Sequence, residues 1–419
     1  CSAQQVDPFA EGVRPTDPLT PEEQLKTFHV PEGFEVQLVA AEPDIAKPMN
    51  LQFDAKGRLW VTSSVEYPFA APKDREPRDT LRILDDFDET GRARKVTVFA
   101  DKLNIPIGHY PTYDGGAIVF SIPNIWKMKD VDGDGVADSR EVLLGPMGWE
   151  RDTHGMNNAF RRAFDGWIYA CHGFNNNTRV QGADGHVVEM NSGNTYRFRI
   201  DGSRIEQFTW GQVNPFGMAL DPLFNWYTAD CHSKPVYQLL RGGYYPSFGK
   251  PHDGLGFVPP MMDHEHGSTA ICGIVCYTAK HFPPEYANHF FSGNVMTSRV
   301  NHNSLIVNGS TYRLKEEPDF VRCDDPWFRP VDLQIGPDGA LYIADFYNKI
   351  IGHYEVPLTH PERDRFRGRI WRIVYKGRPK SPRIDLTTAD VDSLIAAFDH
   401  DVLDVRLRAS EQLVDRIGH

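Results

Sequence analysis

Two segments near opposite ends of this 419-residue chain share one pattern, and this repetition limits the folds open to the chain. One reads PMNLQFDAKGRLWV from Pro48, and the other reads PVDLQIGPDGALYI from Pro330. Each has alternating apolar residues, a turn with Asp or Gly, and a second strand that carries an aromatic residue, which predicts a β-hairpin. Because a single hairpin cannot bury a core, such repeats predict units that stack on one another.

Looser copies of the hairpin pattern lie between these two. HGMNNAFRRAFDGWIYAC runs from His154 to Cys171, and PFGMALDPLFNWYTAD runs from Pro215 to Asp230. Strand pairs begin near Pro48, Tyr113, Gly155, Pro215, Ile271 and Pro330, at a spacing of roughly 45–65 residues, which is near that of propeller blades with insertions. The sequence therefore predicts an all-β fold, a six-bladed β-propeller over residues 29–376. We expect the first strand, 33–39, to complete the last blade beside 368–374.

The two ends of the chain differ from this repeat region. Residues 1–28 are rich in Pro and lack apolar periodicity, which predicts a flexible N-terminal tether with a short helix at 21–25. After a linker that starts at 377, apolar residues at helical spacing predict two helices, 388–398 and 405–414. This pair resembles one HEAT-type unit, so we expect the 377–419 segment to lead into a helical array. A capping hairpin that docks on the propeller is the alternative.

Composition narrows the partners of the protein. With 45 basic and 57 acidic residues the net charge is −12, which argues against a nucleic-acid partner. No apolar run approaches the roughly 20 residues of a membrane-spanning helix. Cys1-Ser2-Ala3 is typical of a mature bacterial lipoprotein, which predicts a periplasmic or cell-surface protein that touches the membrane only through a lipidated Cys1. The alternative is a chain boundary that falls on a cysteine by chance.

The segment DVDGDGVADSRE, residues 130–141, fits the twelve-residue calcium loop. Carboxylates occupy positions 1, 3, 5, 9 and 12, and Gly135 occupies position 6, where the loop turns sharply. Strands rather than helices are predicted on both sides, at 125–128 and 142–144, so we expect bound Ca²⁺ to stabilise a blade. The predicted ligands are Asp130, Asp132, Asp134, the carbonyl group of Val136, Asp138 and Glu141.

Histidines and cysteines give further candidates. Several histidines stand beside Gly, Asn or Asp at strand ends, which in a propeller places them near the axis: His109, His154, His172, His232, His252, His264 and His266. Among them His154 is the strongest candidate for a general base, and His264 with His266 for a transition-metal site. The six cysteines form no Cys-x-x-Cys motif, which argues against a zinc ribbon or a haem attachment. We expect Cys272 and Cys276 to be buried thiols.

These segments bear a family resemblance. His154–Asn158 with the 164–169 strand, Asn214–Met218, Leu239–Tyr245 and the stretch from Arg329 resemble motifs of soluble quinoprotein glucose dehydrogenases and related sugar dehydrogenases. Those enzymes are six-bladed propellers that use pyrroloquinoline quinone (PQQ) and calcium. The resemblance implies that His154 is the catalytic base and that Arg329 stabilises the reduced quinone oxygen. It implies a cofactor site formed by Asn214, Asp230, His232, Arg241 and Arg329, although Val213 stands where those enzymes carry Arg.

A second resemblance covers more of the chain. Residues 28–376, which open with VPEGFEV from Val30, resemble the membrane-bound dehydrogenase domain of planctomycete and verrucomicrobial proteins. In that family the dehydrogenase label is itself inferred, and the domain often precedes HEAT repeats and a cytochrome c module. The helical tail of this chain is consistent with that arrangement.

The sequence therefore predicts a PQQ-dependent dehydrogenase that oxidises a sugar or polyol hydroxyl and passes electrons to a cytochrome. Two alternatives remain open at this point. One is a metal-dependent hydrolase or lyase of lactones or acidic sugars, with His154, His232, His264 and His266 as metal ligands or base. The other is a non-catalytic propeller that binds carbohydrate or a protein.

Overall fold

Six of the seven sheets in the described part of the chain are blades around one axis, and the fold is the predicted six-bladed β-propeller. The computed structural model describes residues 10–231, 233–247, 258, 261–262, 266–267, 270–350 and 356–418. Two N-terminal strands, the short β1 (Phe28–His29) and the longer β2 (Phe34–Ala41), extend the fifth and the sixth blade respectively.

The first three blades follow in chain order. Blade one contains β3 (Lys47–Phe53), β4 (Leu59–Ser64), β5 (Asp79–Phe87) and β6 (Ala93–Leu103). Blade two contains β7 (Gly108–Pro111), β8 (Ala117–Ser121), β9 (Asn124–Lys129) and β10 (Ser139–Leu144). Blade three contains β11 (Asn158–Arg162), β12 (Trp167–His172), β15 (Asn194–Arg199) and β16 (Ile205–Gly211), with the small hairpin β13 (Asn177–Gln181) and β14 (Val187–Asn191) inserted.

The last three blades complete the ring. Blade four contains β17 (Pro215–Leu220), β18 (Trp226–Asp230) and β19 (Val236–Leu239), while β20 (Tyr244–Tyr245) pairs with the outer strand of blade three. Blade five contains β21 (Ile271–Cys276), β22 (Phe290–Asn294), β23 (Arg299–Asn308) and β24 (Thr311–Cys323). Blade six contains β25 (Pro330–Ile335), β26 (Leu341–Asp345) and β27 (Arg369–Tyr375).

Ring closure occurs where the sequence predicts it. Strand β2 pairs with β27, with Phe34 opposite Tyr375 and Val36 opposite Ile373. The sequence placed the start of blade two near Tyr113, but the blade begins at Gly108, and Tyr113 lies in the turn after β7. The strand Gly108–Pro111 combines Gly with Pro and so lacks a clear strand pattern.

The first strand of each blade lies on the axis, and its chain direction defines two faces. We call the end where these inner strands begin the front face, and the end that carries the turns after them the back face. The inner strands touch closely: a Cβ atom on Gly273, whose φ is +54°, would lie 2.6 Å from Cα of Asp332 in the next blade. Glycine is required there because a side chain would separate the blades.

The N-terminal segment corrects the prediction of a flexible tether over 1–28, as far as the described residues 10–28 are concerned. Val13 forms a β-bridge with Ile350, and the predicted helix is present as α1 (Pro21–Leu25). Gln24 is fully buried, and its Nε2 donates to Oδ2 of Asp345 at 2.9 Å. Single polar anchors of this kind leave no periodic pattern, which is why the sequence indicated a tether. Cys1 lies outside the described residues.

The C-terminal segment packs on the back face. It contains α2 (Val391–Ala396), a 3₁₀ turn (Ala397–Asp399), α3 (Leu403–Glu411) and a final π-helical turn (Gln412–Ile417). Leu394, Ala397 and Val405 are buried in the same core cluster as Leu333 and Trp371 of blade six. The docked hairpin, which was the alternative to a free HEAT unit, is therefore the observed arrangement of these residues.

Polar contacts tie this hairpin to the axis. Nη1 of Arg408 donates to the carbonyl oxygen of Pro111 at 2.9 Å, and Nε2 of Gln334 donates to Oδ2 of Asp404 at 3.1 Å. Arg162 forms a buried ion pair with Asp415. The back end of the axis is thus covered by the protein's own helices.

Two further predictions concern burial and membrane contact. Cys272 and Cys276 are free buried thiols, as expected. Burial raises the pKa of both thiols well above the usual range, so they are unreactive near neutral pH. Within the described ranges of the chain, no helix is both long enough and apolar enough to span a bilayer.

Candidate active site on the front face

His154 stands four residues before the inner strand of blade three, in a short loop at the axial mouth. Its backbone N–H donates to Oδ1 of Asp152 at 2.7 Å, and its Nδ1 lies 3.1 Å from the same oxygen. A carboxylate at this position favours the tautomer with the proton on Nδ1, which leaves the lone pair on Nε2. Both side chains are largely buried, with 18% and 9% of their surface exposed.

A buried amide fixes this loop. Nδ2 of Asn176 donates to the carbonyl oxygens of Asp152 at 2.6 Å and of Gly155 at 3.0 Å. Its Oδ1 accepts the backbone N–H groups of Arg151 at 3.2 Å and of Asp152 at 3.3 Å. A Cβ atom at Gly155 would lie 2.3 Å from the backbone of Phe174, so only glycine fits beside His154. The candidate base is therefore held before any ligand binds.

Tyr67 forms one wall next to the base. Its ring is edge-on to the imidazole of His154, with 5.0 Å between centroids, and to the ring of Phe346 at 5.5 Å. The hydroxyl of Thr153 donates to the carbonyl oxygen of Pro68 at 2.5 Å, which joins the two loops. Burial, together with the charge of Asp152, raises the pKa of Tyr67, so it is a neutral hydroxyl donor at physiological pH.

Asn214 belongs to the same group of residues. Its Oδ1 accepts the backbone N–H of Phe174 at 3.0 Å. A Cβ atom on Gly173 would lie 2.4 Å from that oxygen and 2.6 Å from Cα of Gly155. The amide of Asn214 is thus packed beside the loop of His154. The side chain of Val213, in the position of the expected Arg, is almost fully buried.

Asp230 has a structural role in this arrangement. It is fully buried, its Oδ1 accepts the N–H of Asn214 at 3.0 Å, and its Oδ2 accepts the N–H of Val213 at 2.9 Å. Asp345 holds the start of blade six in the same way, since its Oδ1 accepts the N–H of Arg329 at 2.8 Å. The pairs Pro215–Asp230 and Pro330–Asp345 occupy the same register in their hairpins. Asp230 is therefore a repeated cap of the inner strand.

The guanidinium group of Arg329 is completely buried at the front face. Its Nη1 donates to the hydroxyl of Ser298 and to the carbonyl oxygen of Phe328, both at 3.0 Å. Its Nε and Nη2 have no hydrogen-bond partner within the described part of the chain. Burial, reinforced by the like charge of Arg14, lowers the pKa of Arg329 to about 9, so the group is still charged at neutral pH.

A second buried cation was missed by the sequence reasoning. Nζ of Lys47 lies 3.0 Å from Oδ1 of Asp364 and 5.0 Å from the ring centroid of Phe346. Burial lowers the pKa of Lys47 to about 8, although Asp364 opposes this shift. The signal was present: Lys47 and Arg329 both directly precede the repeated Pro of their blade, as Asn214 does.

Other predicted site residues lie elsewhere. Arg241 is not brought to the front face: its side chain is 65% exposed, and its Nη2 pairs with Oε2 of Glu206 at 3.1 Å. The partner of Glu206, Arg197, also approaches Asp165 in the back-face turn of blade three. His232, His252 and His264 lie outside the described residues.

The remaining candidate histidines that the structure describes are His172, His109 and His266. His172 is buried, with Nδ1 2.8 Å from the carbonyl oxygen of Ser192 and Nε2 2.8 Å from Oγ1 of Thr178. Burial lowers the pKa of His109 to about 3, so this axial residue stays neutral. Nδ1 of His266 lies 3.1 Å from a carboxylate oxygen of Glu316.

Residues 130–138 of the 130–141 loop connect β9 to β10, and residues 139–141 already belong to β10, so strands lie on both sides as predicted. Carboxylate oxygens of Asp130, Asp132 and Asp138 lie within 4.8 Å of one another. Asp134 and Glu141 are outside this group. The loop reaches the neighbouring blade, because the N–H of Ala137 donates to the carbonyl oxygen of Phe99 at 2.7 Å.

The profile of a domain of unknown function, DUF7133, matches residues 20–377. The chain belongs to this family. Among curated proteins, no sequence matches it significantly. The DUF7133 match starts at the N-cap of α1 and ends just after the last strand of the propeller.

Solved structures share the DUF7133 fold at low sequence identity. The PQQ-bound aldose sugar dehydrogenase of Streptomyces coelicolor is 16% identical, with a TM-score of 0.53 over 83% of this chain and 99% of that one. The PQQ domain of pyranose dehydrogenase from Coprinopsis cinerea is 13% identical, with a TM-score of 0.53 over 83% and 97%. A luciferin-regenerating enzyme is 12% identical, with a TM-score of 0.50 over 82% and 95%. At these identities the likeness shows the propeller fold only, and a function has to be argued from the residues of the site.

Proposed function

We propose that this DUF7133 protein is a PQQ-dependent dehydrogenase that oxidises a hydroxyl group of a sugar or polyol. The observation that carries the proposal is the His154–Asp152 pair, which lies at the axial mouth of a propeller whose back end is covered. The similar structures with PQQ in their names support the choice of cofactor.

The residues of the front face can be tested against such a cofactor. PQQ carries carboxylates and quinone oxygens, which need N–H donors and cations. Arg329 offers two N–H groups without a partner in the described chain, and Lys47 is a second cation. The aliphatic Val213 removes one contact that an arginine would make. The residues therefore fit the cofactor at Arg329 and provide fewer cationic contacts near Asn214.

The chain's own residues would act as follows. Nε2 of His154 accepts the proton of the substrate hydroxyl, and Asp152 holds the ring and stabilises the imidazolium that forms. The hydroxyl of Tyr67 donates a hydrogen bond to substrate oxygen at the same mouth. Arg329 and Asn214 would hold the quinone. When bound, PQQ supplies the two-electron acceptor, and a cytochrome would then reoxidise it.

Calcium binding at the 130–141 loop is part of the same proposal. The grouped oxygens of Asp130, Asp132 and Asp138 are hard donors of the kind Ca²⁺ prefers. Asp134, the carbonyl group of Val136 and Glu141 would complete the shell. Because the loop contacts strand β6 of blade one, the ion would stabilise the junction between two blades. A lipidated Cys1 in the periplasm or at the cell surface stays a proposal.

The experiment begins with the native protein, analysed by mass spectrometry and elemental analysis for bound quinone and metals. The purified protein is then incubated with PQQ and Ca²⁺ and tested with a redox dye on a panel of sugars and polyols. A quinone absorption band together with turnover supports the proposal. If the protein binds no quinone and contains a stoichiometric transition metal, the dehydrogenase proposal is wrong.

That second result would favour a metal-dependent hydrolase or lyase of lactones or acidic sugars on the same scaffold. The buried Val213 is the observation behind this alternative, since it removes an expected quinone contact. The luciferin-regenerating enzyme has the same fold, so the propeller is compatible with different named functions.

A further inference from the structure

Residues 10–19, which we call the N-terminal strap, run along the front face beside blade six. The backbone N–H of Arg14 donates to the carbonyl oxygen of Lys349 at 3.2 Å. Two residues further along, the carbonyl oxygen of Thr16 accepts Nε1 of Trp327 at 3.0 Å. The strap is therefore bound to the segments that precede β25 and follow β26, at the front ends of both strands.

The guanidinium groups of Arg14 and Arg329 reach the same short turn. This turn, residues 295–298, joins β22 to β23 at the front end of blade five. Nη2 of Arg14 donates to the carbonyl oxygen of Met296 at 3.2 Å, and Nη1 of Arg329 donates to Oγ of Ser298 at 3.0 Å. Burial lowers the pKa of Arg329, and the like charge of Arg14 lowers it further. Two positive charges thus stand close together, which is unfavourable in a buried site unless an anion joins them.

Arg329 differs from the other buried arginines of the protein. In the described part of the chain each of the other five forms an ion pair with a carboxylate: Arg162, Arg197, Arg369, Arg372 and Arg408. Arg329 forms none with these described residues, and its Nε and Nη2 lack hydrogen-bond partners there. Because a buried charge without a partner is costly, buried arginines are normally paired. We therefore expect the partner of Arg329 to be an anion that is not part of the chain.

The two carboxylates whose charges act on Arg329 are engaged elsewhere. Oδ2 of Asp345 accepts Nε2 of Gln24 at 2.9 Å and Nε1 of Trp371 at 3.1 Å, and its Oδ1 accepts two backbone N–H groups. Oδ1 of Asp325 also accepts a backbone N–H, at 3.0 Å, and no hydrogen bond joins Asp325 to the guanidinium of Arg329. These acids offset part of the charge but leave two N–H groups of Arg329 without an acceptor.

We infer that Arg14 and Arg329 together bind one carboxylate group of the quinone cofactor, so that the N-terminal strap is part of the cofactor site. The inference rests on the proposed function, because PQQ supplies the carboxylate. Guanidinium groups suit this ligand, since their N–H groups form paired, charge-assisted hydrogen bonds with carboxylates. The bound anion would remove the repulsion between the two arginines. Arg14 would also add a cation to a site in which Val213 removes one.

The test measures binding rather than turnover. Calorimetry compares PQQ with its trimethyl ester, which has no carboxylate charge, on the wild type, Arg14→Gln and Arg14→Lys. We expect Arg14→Gln to bind PQQ about tenfold more weakly than the wild type, with its affinity for the ester unchanged. Arg14→Lys, which keeps the charge, should lie between the two. Arg179→Gln is the control, because this exposed arginine pairs with Glu189 on the inserted hairpin of blade three.

Hydrogen exchange gives a second measurement, on the strap itself. The backbone N–H of Leu19 donates to the hydroxyl of Tyr347 at 2.7 Å, and that of Arg14 donates to Lys349. Both amides should exchange more slowly when PQQ is bound to the wild type, and the ester should have a smaller effect. Exchange at the strap that PQQ does not change would contradict the inference.

The outcomes separate the inference from the proposed reaction. PQQ binding that depends on Arg14, without oxidation of any sugar or polyol, would keep the inference and reject the reaction. Turnover together with an unaltered PQQ affinity in Arg14→Gln would reject the inference and keep the reaction. Equal losses of affinity for PQQ and the ester would show that the strap acts by packing rather than by charge, and the inference would be wrong. A wild type that binds no PQQ would reject both.

Discussion

One carboxylate oxygen of Asp152 contacts His154 twice: Oδ1 lies 3.1 Å from Nδ1 of the imidazole and accepts the backbone N–H of His154 at 2.7 Å. Two contacts to one atom fix both the backbone and the ring of the candidate base. Asn176 holds the same loop, because its Nδ2 donates to the carbonyl oxygen of Asp152. Preorganisation of this kind is what a proton-accepting residue needs at a reaction centre.

Replacement of Asp152 tests this link. In Asp152→Asn the ring loses the carboxylate that holds its tautomer, so we expect kcat to fall about 10- to 100-fold with little change in KM. The conservative Asp152→Glu should restore part of the rate. Circular dichroism and thermal melting verify the fold. Asp184→Asn, at an exposed carboxylate paired with Arg204, is the control, and equal loss in both variants would contradict the positioning role.

Stability should depend on pH through Asp79. This carboxylate holds the start of the Tyr67 loop, accepting the N–H groups of Val65 at 2.7 Å and Glu66 at 3.0 Å. Burial raises its pKa from 3.8 to about 6. The folded state therefore binds this proton more tightly than the unfolded state, and the contribution to stability is full below pH ~4 and lost as the pH rises towards ~6.

The measurement is urea unfolding of the wild type and of Asp79→Asn between pH 4 and 7. The free energy of unfolding of the wild type should fall by about 3 kcal/mol more than that of the variant across this window. A constant difference between the two proteins would show that Asp79 does not titrate there.

Removal of calcium should destabilise the junction between blades one and two. Treatment with EGTA should lower the melting temperature of the wild type by several degrees, and added Ca²⁺ should restore it. Asp130→Asn should melt at the lower temperature with or without Ca²⁺. Asp88→Asn, in an ordinary hairpin turn, should keep the full response to calcium. A wild type that does not respond to EGTA would contradict a calcium site in the 130–141 loop.

Two adjacent residues of α2 test the docking of the C-terminal hairpin. Leu394 is fully buried against the propeller, whereas Ile395 is 54% exposed. Leu394→Ala should lower the free energy of unfolding by about 2–5 kcal/mol, because it leaves a cavity in the shared core. Ile395→Ala should have a much smaller effect. Equal effects would indicate that the hairpin is not docked in solution.

Local patterns determined which parts of the structure were predictable from the sequence. The hairpins at Pro48 and Pro330 were found because period-two apolarity and a glycine turn lie within 14 neighbouring residues. The cap formed by Asp230 and Asp345 was also visible, in the repeated stretches YTAD and YIAD. The family resemblance instead predicted a cofactor ligand at Asp230, although the repeat of this residue at Asp345 indicates a structural cap.

Contacts between distant segments could not be predicted. Gln24 meets Asp345, and Arg365 meets Glu66, across about 300 residues of chain in each case, without any local pattern to mark the pair. Arg241 shows the opposite error: a matching motif placed it at the cofactor, but the chain carries it to an exposed ion pair with Glu206. Side-chain direction at the site depends on blade packing, which a motif does not encode.

The most direct test of the account is substrate-dependent reduction of bound quinone in a single turnover, followed by absorbance in the wild type and in His154→Ala. His360→Ala, outside the loop of His154, is the control. The account predicts rapid reduction in the wild type and the control, and quinone that binds to His154→Ala but is reduced at least a hundredfold more slowly, as expected for loss of a general base. Equal rates of reduction in His154→Ala and the wild type would contradict it.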